Sequence, residues 1–280
     1  MKKLLLVDGS NLLFQMFFGM PSRIVNAAGK PIHGTLGFVG ALLKIMRMVE
    51  PTHAAVLFDG EHGTERNILS ADYKANRQDL SAVAEEDSPF SQLADIYAAL
   101  DYLGLRHTEV EEFETDDVIA SYAIRLAGEY DIVISSFDSD FFQLAGEHVS
   151  VLRYRGDRTV LCGPDYVREK FGVGPERYAD FKALVGDSAD NLRGAAGVGP
   201  KTAAALIGQF GSLGELLGRK EEIQKPSVRA SVSESAARIA LNYRLIKLDD
   251  RARLPFEQDY LACDIGGITT SEVLRGIGLR

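Results

Sequence analysis

The stretch DIVISSFDSDFFQLAG, residues 131–146, opens on Ile132, Val133 and Ile134 and then meets two carboxylates one residue apart, Asp138 and Asp140. The β-branched run reads as a short buried strand. A buried charge without a partner is costly, so something must sit between these acids. Two earlier apolar runs end the same way, KLLLVDG (3–9) at Asp8 and HAAVLFDG (53–60) at Asp59.

Helix-like segments separate the runs. TLGFVGALLKIMRMV (35–49) has helical periodicity. FSQLADIYAALDYLG (90–104) sets Phe90, Leu93, Tyr97 and Leu100 on one face, with Gly104 as a stop. TDDVIASYAIRLAG (115–128) turns Val118, Ile119, Tyr122 and Leu126 inward and ends at Gly128. HVSVLRY and RTVLCG follow the opening stretch. This βαβα order predicts an α/β chain with a mainly parallel sheet and helices on both faces. From Pro164 the strand signals stop and short helices between glycines take over, which places a boundary near residue 163. The expected division is 1–163 and 164–280. The least regular segment is NRQDLSAVAEEDSP (76–89).

In a doubly wound sheet the carboxyl ends of the strands line one crevice, where ligands bind. Three strands therefore deliver acids to one edge. EFETDD (112–117) adds Glu114, Asp116 and Asp117 at a helix start, where the dipole favours carboxylates. GDSADN (186–191) adds Asp187 and Asp190, which share a face if that segment is helical. The nine acids have almost no neighbouring base in sequence. An oxygen-only donor set without His or Cys suits Mg2+ or Mn2+. Any one aspartate reads more simply as a cap or turn residue, and FDSD alone as readily a cap as a ligand pair. The joint pattern across five segments points to a divalent-metal site. Crowded carboxylates repel without metal, so Asp140→Asn is expected to raise the melting temperature when metal is chelated.

Bulk composition is that of a soluble globular protein, 46% hydrophobic and 25% charged. The start, MKKLLLVDGSN, turns polar too soon for a signal peptide, so a cytoplasmic protein is expected. Cys162 and Cys263 lie far apart, and the five histidines have no ligand spacing, which argues against a zinc site or a disulfide frame. The net charge of −9 taken alone argues against a nucleic-acid partner. LVDGSN lacks the second acid of an aspartyl-phosphate phosphatase, since Ser10 stands there, and Pro200 interrupts the P-loop pattern in GAAGVGPKT. GVGPKTA (197–203) reads instead as a hairpin between helices. Gly197 and Gly199 permit the turn, Pro200 fits the first helical position, and the helix start with Lys201 and Thr202 offers donors to a phosphate.

VDGSN, FDG, YKANR, ETDD, SFDSD, GDSADN and GVGPKTA, in that order, resemble the 5′-nuclease (flap endonuclease) superfamily, in particular the 5′–3′ exonuclease domain at the front of bacterial DNA polymerase I. The match runs from about residue 3 to about 217, with weaker similarity in NYRLIKLDD. The resemblance implies a PIN-like nuclease core with a helix–hairpin–helix subdomain. It puts Asp8, Asp59, Glu114, Asp116 and Asp117 in a first metal region, and Asp138, Asp140, Asp187 and Asp190 in a second. It also puts Arg66, Tyr73, Lys74 and Arg77 at substrate contacts at the foot of a helical arch, about residues 66–90, where a lysine can stabilise phosphate charge and a tyrosine can stack on a base. Gly197, Gly199, Lys201 and Thr202 would meet duplex DNA, with K+ on the turn's carbonyls.

The implied activity is two-metal hydrolysis of DNA at a 5′ flap, nick or gap, leaving a 5′-phosphate, by a monomer with a separate DNA polymerase as its expected partner. Two departures stand out: no Lys or Arg lies between Arg77 and Arg106, and Arg193 replaces the family's usual proline after DNL. The alternatives are a catalytically weak, structure-specific DNA-binding protein and a PIN-type ribonuclease, which the hairpin motif disfavours.

Overall fold

The computed structural model describes residues 1–60, 65–70, 72–76, 84 and 87–279. Six strands form its main sheet: β1 (Lys2–Asp8), β2 (His53–Asp59), β3 (Arg106–Val110), β4 (Tyr130–Ser135), β5 (Val149–Arg153) and β6 (Val160–Cys162). Their order is β3-β2-β1-β4-β5-β6. Neighbours are parallel except β5 and β6. β1 is paired on both sides, Leu6 standing opposite Ala55 on β2 and Ile134 on β4. The chain builds outward from β1 to β3 and then crosses to β4. That reversal opens a crevice beyond the carboxyl end of β1.

Leu4 and Leu6 face one apolar cluster, and Leu5 and Val7 face the other. All four are fully buried, which is why the strand is continuously apolar rather than alternating. The helices of this part are α1 (Gly9–Gly19), α2 (His33–Val49), α3 (Glu65–Leu69), α4 (Leu93–Tyr102) and α5 (Thr115–Leu126). Phe38 and Leu42 of α2 and Ile96 and Leu100 of α4 join Leu5 and Val7. Val118, Ile119 and Tyr122 of α5 pack on the opposite side with Leu4, Leu6 and Ile134. Phe90, expected on the inward face of its helix, is 52% exposed. It stands in a 3₁₀ turn, Pro89–Gln92, whose three-residue period takes it out of phase with α4.

After β6 come α6 (Pro164–Phe171), α7 (Tyr178–Val185), the two-stranded ribbon β7 (Gly186–Asp187) and β8 (Leu192–Arg193), α8 (Pro200–Phe210), α9 (Leu213–Gly218), α10 (Pro226–Ile246) and α11 (Thr270–Gly276). Tyr178, Phe181 and Leu184 of α7 extend the cluster that holds Leu4 and Leu6. The apolar core therefore continues past the last strand of the main sheet. The chain end then returns to the first layer. Cys263 N–H donates to the Thr52 carbonyl at 3.0 Å, and α11, started by a Thr269–Glu272 capping box, packs on α2 and α4. Among the described residues no helix is long and apolar enough to cross a membrane.

Candidate active site

Asp8, the last residue of β1, is also the N-cap of α1. Its Oδ1 accepts the Asn11 N–H at 3.0 Å and its Oδ2 accepts the Ser136 hydroxyl at 2.7 Å. Ser136 Oγ in turn accepts the N–H of Asp138 at 3.0 Å, and Asp138 Oδ1 accepts the N–H of Asp140 at 2.8 Å. The opening stretch is thus both a capped turn and a row of carboxylates, because Asp140 starts a 3₁₀ turn, Asp140–Leu144. Asp59, at the end of β2, is tied in by its N–H, which donates to Ser10 Oγ at 2.8 Å. Asp116 and Asp117 lie in the first turn of α5 and Glu114 is its N-cap residue.

These acids fall into three electrostatic groups. In the first, Asp8 is pushed up to about 7 by burial, with Asp59 and then Asp138 adding to the shift. Asp116 is raised well above the ordinary carboxylate range by burial and by Asp138 and Asp8, against the pull of Lys74. The groups that lower Asp8 are neutral donors, Asn11 and Ser136.

In the second, Arg66 bridges Glu114 at 2.6 Å and Asp117 at 2.7 Å. Lys74 Nζ also reaches Glu114, at 3.0 Å, and the Tyr73 hydroxyl lies 3.5 Å from the same oxygen. Burial alone would depress the Arg66 guanidinium, yet Glu114 and Asp117 hold it above its ordinary value. Burial raises Asp117 in spite of Arg66.

The third is built around Lys182 of α7, whose ammonium pairs with Asp140 and, at 2.5 Å, with Asp187. Burial opposes the Lys182 charge, but Asp140, Asp138 and Asp187 raise it well above its ordinary value. Burial also opposes both carboxylates. For Asp187 the ammonium prevails and its carboxyl is lowered. Asp140 is pushed up to about 7 by deeper burial despite the same lysine. Asp190 is raised by burial, with Lys74 opposing.

The expectation of nine acids with almost no base beside them therefore needs correction: Arg66, Lys74 and Lys182 all enter the site. Lys182 left one trace in the sequence, a lysine inside YADFKALV, whose residues 178–184 are all buried. Asp187 and Asp190 do not share a helix face, because Asp187 lies in β7 and Asp190 in the turn before β8. Arg66 and Tyr73, expected at the substrate surface, are buried at 8% and 4% exposure, and Arg77 lies outside the described residues. In the hairpin, Gly197 adopts φ +72°, but Gly199 is extended at φ −83° and an added Cβ there meets open space. Lys201 is exposed and Thr202 half-buried in the first turn of α8.

The donor set suits a hard cation: in the first group the charges that raise Asp8 and Asp116 are all carboxylates. Among the described residues no three His, Cys, Asp or Glu side chains already converge as a ready cage.

Comparison with known proteins places this geometry. The thermostable DNA polymerase I of Thermus thermophilus is 35% identical over 258 residues, covering 92% of this chain and 30% of the polymerase. DNA polymerase I of Rhizobium leguminosarum is 38% identical over 269 residues, 93% of this chain and 26% of that protein. The chain thus spans less than a third of these relatives. Among solved structures, the bacteriophage T5 D15 protein superposes with a TM-score of 0.71 at 24% identity, over 88% of this chain and 89% of that one. The catalytic core of Rad2 superposes at 0.61 with 16% identity, over 99% and 85%. Both show a shared fold. The N-terminal resolvase-like domain of the 5′–3′ exonucleases matches residues 3–172 and their C-terminal SAM fold matches residues 173–266, and the chain belongs to the 5′–3′ exonuclease family.

Proposed function

We propose that this chain is a structure-specific 5′ nuclease that hydrolyses DNA phosphodiester bonds at 5′ flaps or ends and leaves a 5′-phosphate and a 3′-hydroxyl. The observation that carries the reading is the crevice beyond β1, where the charges of Asp59 and Asp138 add to burial in raising the proton affinity of Asp8 and Asp116. Family membership supports it. So do the solved relatives: T5 D15 flap endonuclease was captured with DNA and metal ions, and Rad2 with a DNA substrate.

Asp8, Asp59, Glu114, Asp116 and Asp117 would hold one Mg2+ or Mn2+, and Asp138, Asp140, Asp187 and Asp190 a second. The chemistry such ions supply is charge that activates a water for in-line attack and steadies the leaving 3′ oxygen. The protein's own share is positioning. Ser136 and Asn11 hold Asp8 in place, and the turn at Asp140 aims Asp138 into the crevice. Lys74, 3.0 Å from Glu114 in this state, would swing its ammonium to the scissile phosphate. Tyr73 and Arg77 would support the strand beside it, and Arg66 would keep Glu114 and Asp117 ionised. Residues 197–202 would grip duplex phosphates through backbone N–H groups and Lys201 without reading sequence, and K+ would strengthen that grip.

The test is a labelled 5′-flap DNA incubated with Mg2+ and with EDTA, using wild type and Asp138→Asn, which keeps the cap on Asp140. Cleavage by wild type in Mg2+ alone, and a loss of about a hundredfold or more in the variant with binding kept, is the expected result. Binding without cleavage in Mg2+ or Mn2+ would leave a DNA-binding scaffold instead.

A further inference from the structure

Three non-glycine residues among those described have left-handed backbone: Glu50, Lys74 and Asn191. Glu50 is the C-cap of α2. The other two, at φ 58° and φ 59°, belong to one contact. The Lys74 N–H donates to the Asp190 carbonyl at 3.1 Å. The Asn191 side-chain amide donates to the Asp72 carbonyl at 2.9 Å. Asn76 Nδ2 donates to the Ser188 carbonyl at 2.8 Å. These bonds clip residues 72–76 to the turn that joins β7 to β8.

That turn projects from a narrow neck. A Cβ on Gly186 would lie 2.5 Å from Gly194 N and from the Leu192 carbonyl. Two side chains of α10 fasten the neck. Asn242, 2% exposed, donates to the carbonyls of Ala183 at 3.2 Å and Arg193 at 2.9 Å. Arg238 donates to the carbonyls of Arg193 and Gly194 at 3.2 and 3.1 Å. The base of the ribbon is thus anchored, and its tip is what residues 72–76 lean on.

A lysine in the left-handed region is disfavoured by its own side chain and persists where its surroundings over-determine it. We propose that the ribbon sets the position of Lys74 and that Asn191 is the positioning residue. Asparagine tolerates the left-handed backbone that turns the Asp190 carbonyl toward the Lys74 N–H, and its amide holds Asp72 at the same time. The ribbon also carries Asp187 and Asp190, so the lysine and these carboxylates are placed by one piece of chain. The inference rests on the reading of Lys74 as the group that meets the scissile phosphate.

Two variants separate the two contributions. Asn191→Gly keeps the left-handed backbone and removes the amide, whereas Asn191→Ala removes both. Hydrogen exchange of the Lys74 amide in the metal-free protein reads the clip without reference to catalysis. It should speed up about tenfold in Asn191→Gly, the worth of one hydrogen bond, and more in Asn191→Ala. On a 5′-flap oligonucleotide with Mg2+, kcat for Asn191→Gly should fall about tenfold while KM moves less than about twofold, the signature of misplaced catalytic geometry. In a Lys74→Ala background the same substitution should cost nothing further.

Unchanged exchange at Lys74, or full additivity of Asn191→Gly with Lys74→Ala, overturns the proposal. If Lys74→Ala itself keeps the wild-type kcat, the reading of Lys74 fails, and the exchange rate alone then upholds or rejects the clip. Should Asn191→Ala not fold, Asn191→Gly carries the test by itself.

Discussion

Lys182 changes what the neighbouring acids mean. Crowding alone suggests that removing a charge at Asp140 relieves the metal-free protein. With the Lys182 ammonium paired to both Asp140 and Asp187, the opposite is expected. Asp140→Asn takes away half of a buried partner set and should melt lower than wild type in EDTA. Lys182→Met leaves the buried Asp140 and the half-buried Asp187 without their shared cation and should cost about 3–5 kcal/mol, with Mg2+ recovering more stability than it gives wild type. Melting curves of the three proteins in EDTA and in Mg2+ decide the matter, and a Lys182→Met curve that overlies wild type in EDTA would remove the ion pair from the account. The acids were legible in the sequence because strands end on them. Their basic partners were not. Arg66 reaches Glu114 and Lys182 reaches Asp140, each more than 40 residues away in the chain, and no local period records such a pairing.

At the scale of elements, strand and helix types followed from apolar runs and periodicity, since β1 is buried on both faces and Val118, Ile119, Tyr122 and Leu126 of α5 are buried at helical spacing. Phase and turn geometry were harder to read. The 3₁₀ turn before α4 displaced Phe90, and the hairpin's two glycines turned out unequal. Only the backbone distinguishes them: Gly197 is left-handed and Gly199 is extended. Gly197→Ala should therefore strain the turn by roughly 1–2 kcal/mol and weaken duplex binding several-fold, while Gly199→Ala leaves binding near wild type. Fluorescence titration of a labelled duplex measures both. Equal losses at the two positions would mean that the turn engages DNA in some other backbone conformation.

For the molecule as a whole, the raised acids couple folding to pH and to metal. Asp8 is pushed up to about 7 in the folded chain, against about 4 for a free carboxyl. Between those values the folded state binds the proton more tightly than the unfolded state. The stabilisation is complete below about pH 4 and is lost as pH rises through 7. One pKa unit is about 1.4 kcal/mol, so Asp8 alone sets an upper bound of roughly 4 kcal/mol. In EDTA the contribution of Asp8 should fall steadily from about pH 4 to 7 and level off above, and Mg2+ should flatten that slope. Metal binding at pH 6 should also release protons, which calorimetry in buffers of different ionisation enthalpy reports. A metal affinity that is the same at pH 6 and pH 8 would contradict the shared charge of Asp8 and Asp116. The parallel sheet and its crevice followed from the order of runs ending in acids. The return of the chain end onto α2 and α4 did not, because Cys263 and α11 meet residues fixed far earlier in the chain.

The central position of β1 governs the order in which the chain can be completed. The two neighbours of β1 are made far apart in time: residues 4–8 pair with 53–57, and residues 2–7 wait for 130–135. Until β4 emerges, one edge of a strand with an apolar centre, Leu4 to Val7, has no partner. The nascent chain therefore carries a sticky, unpaired edge until residues 130–135 are made, a state that invites chaperone capture. Refolding from denaturant meets the same delay, because the earliest strand must close its longest loop before the sheet has a centre.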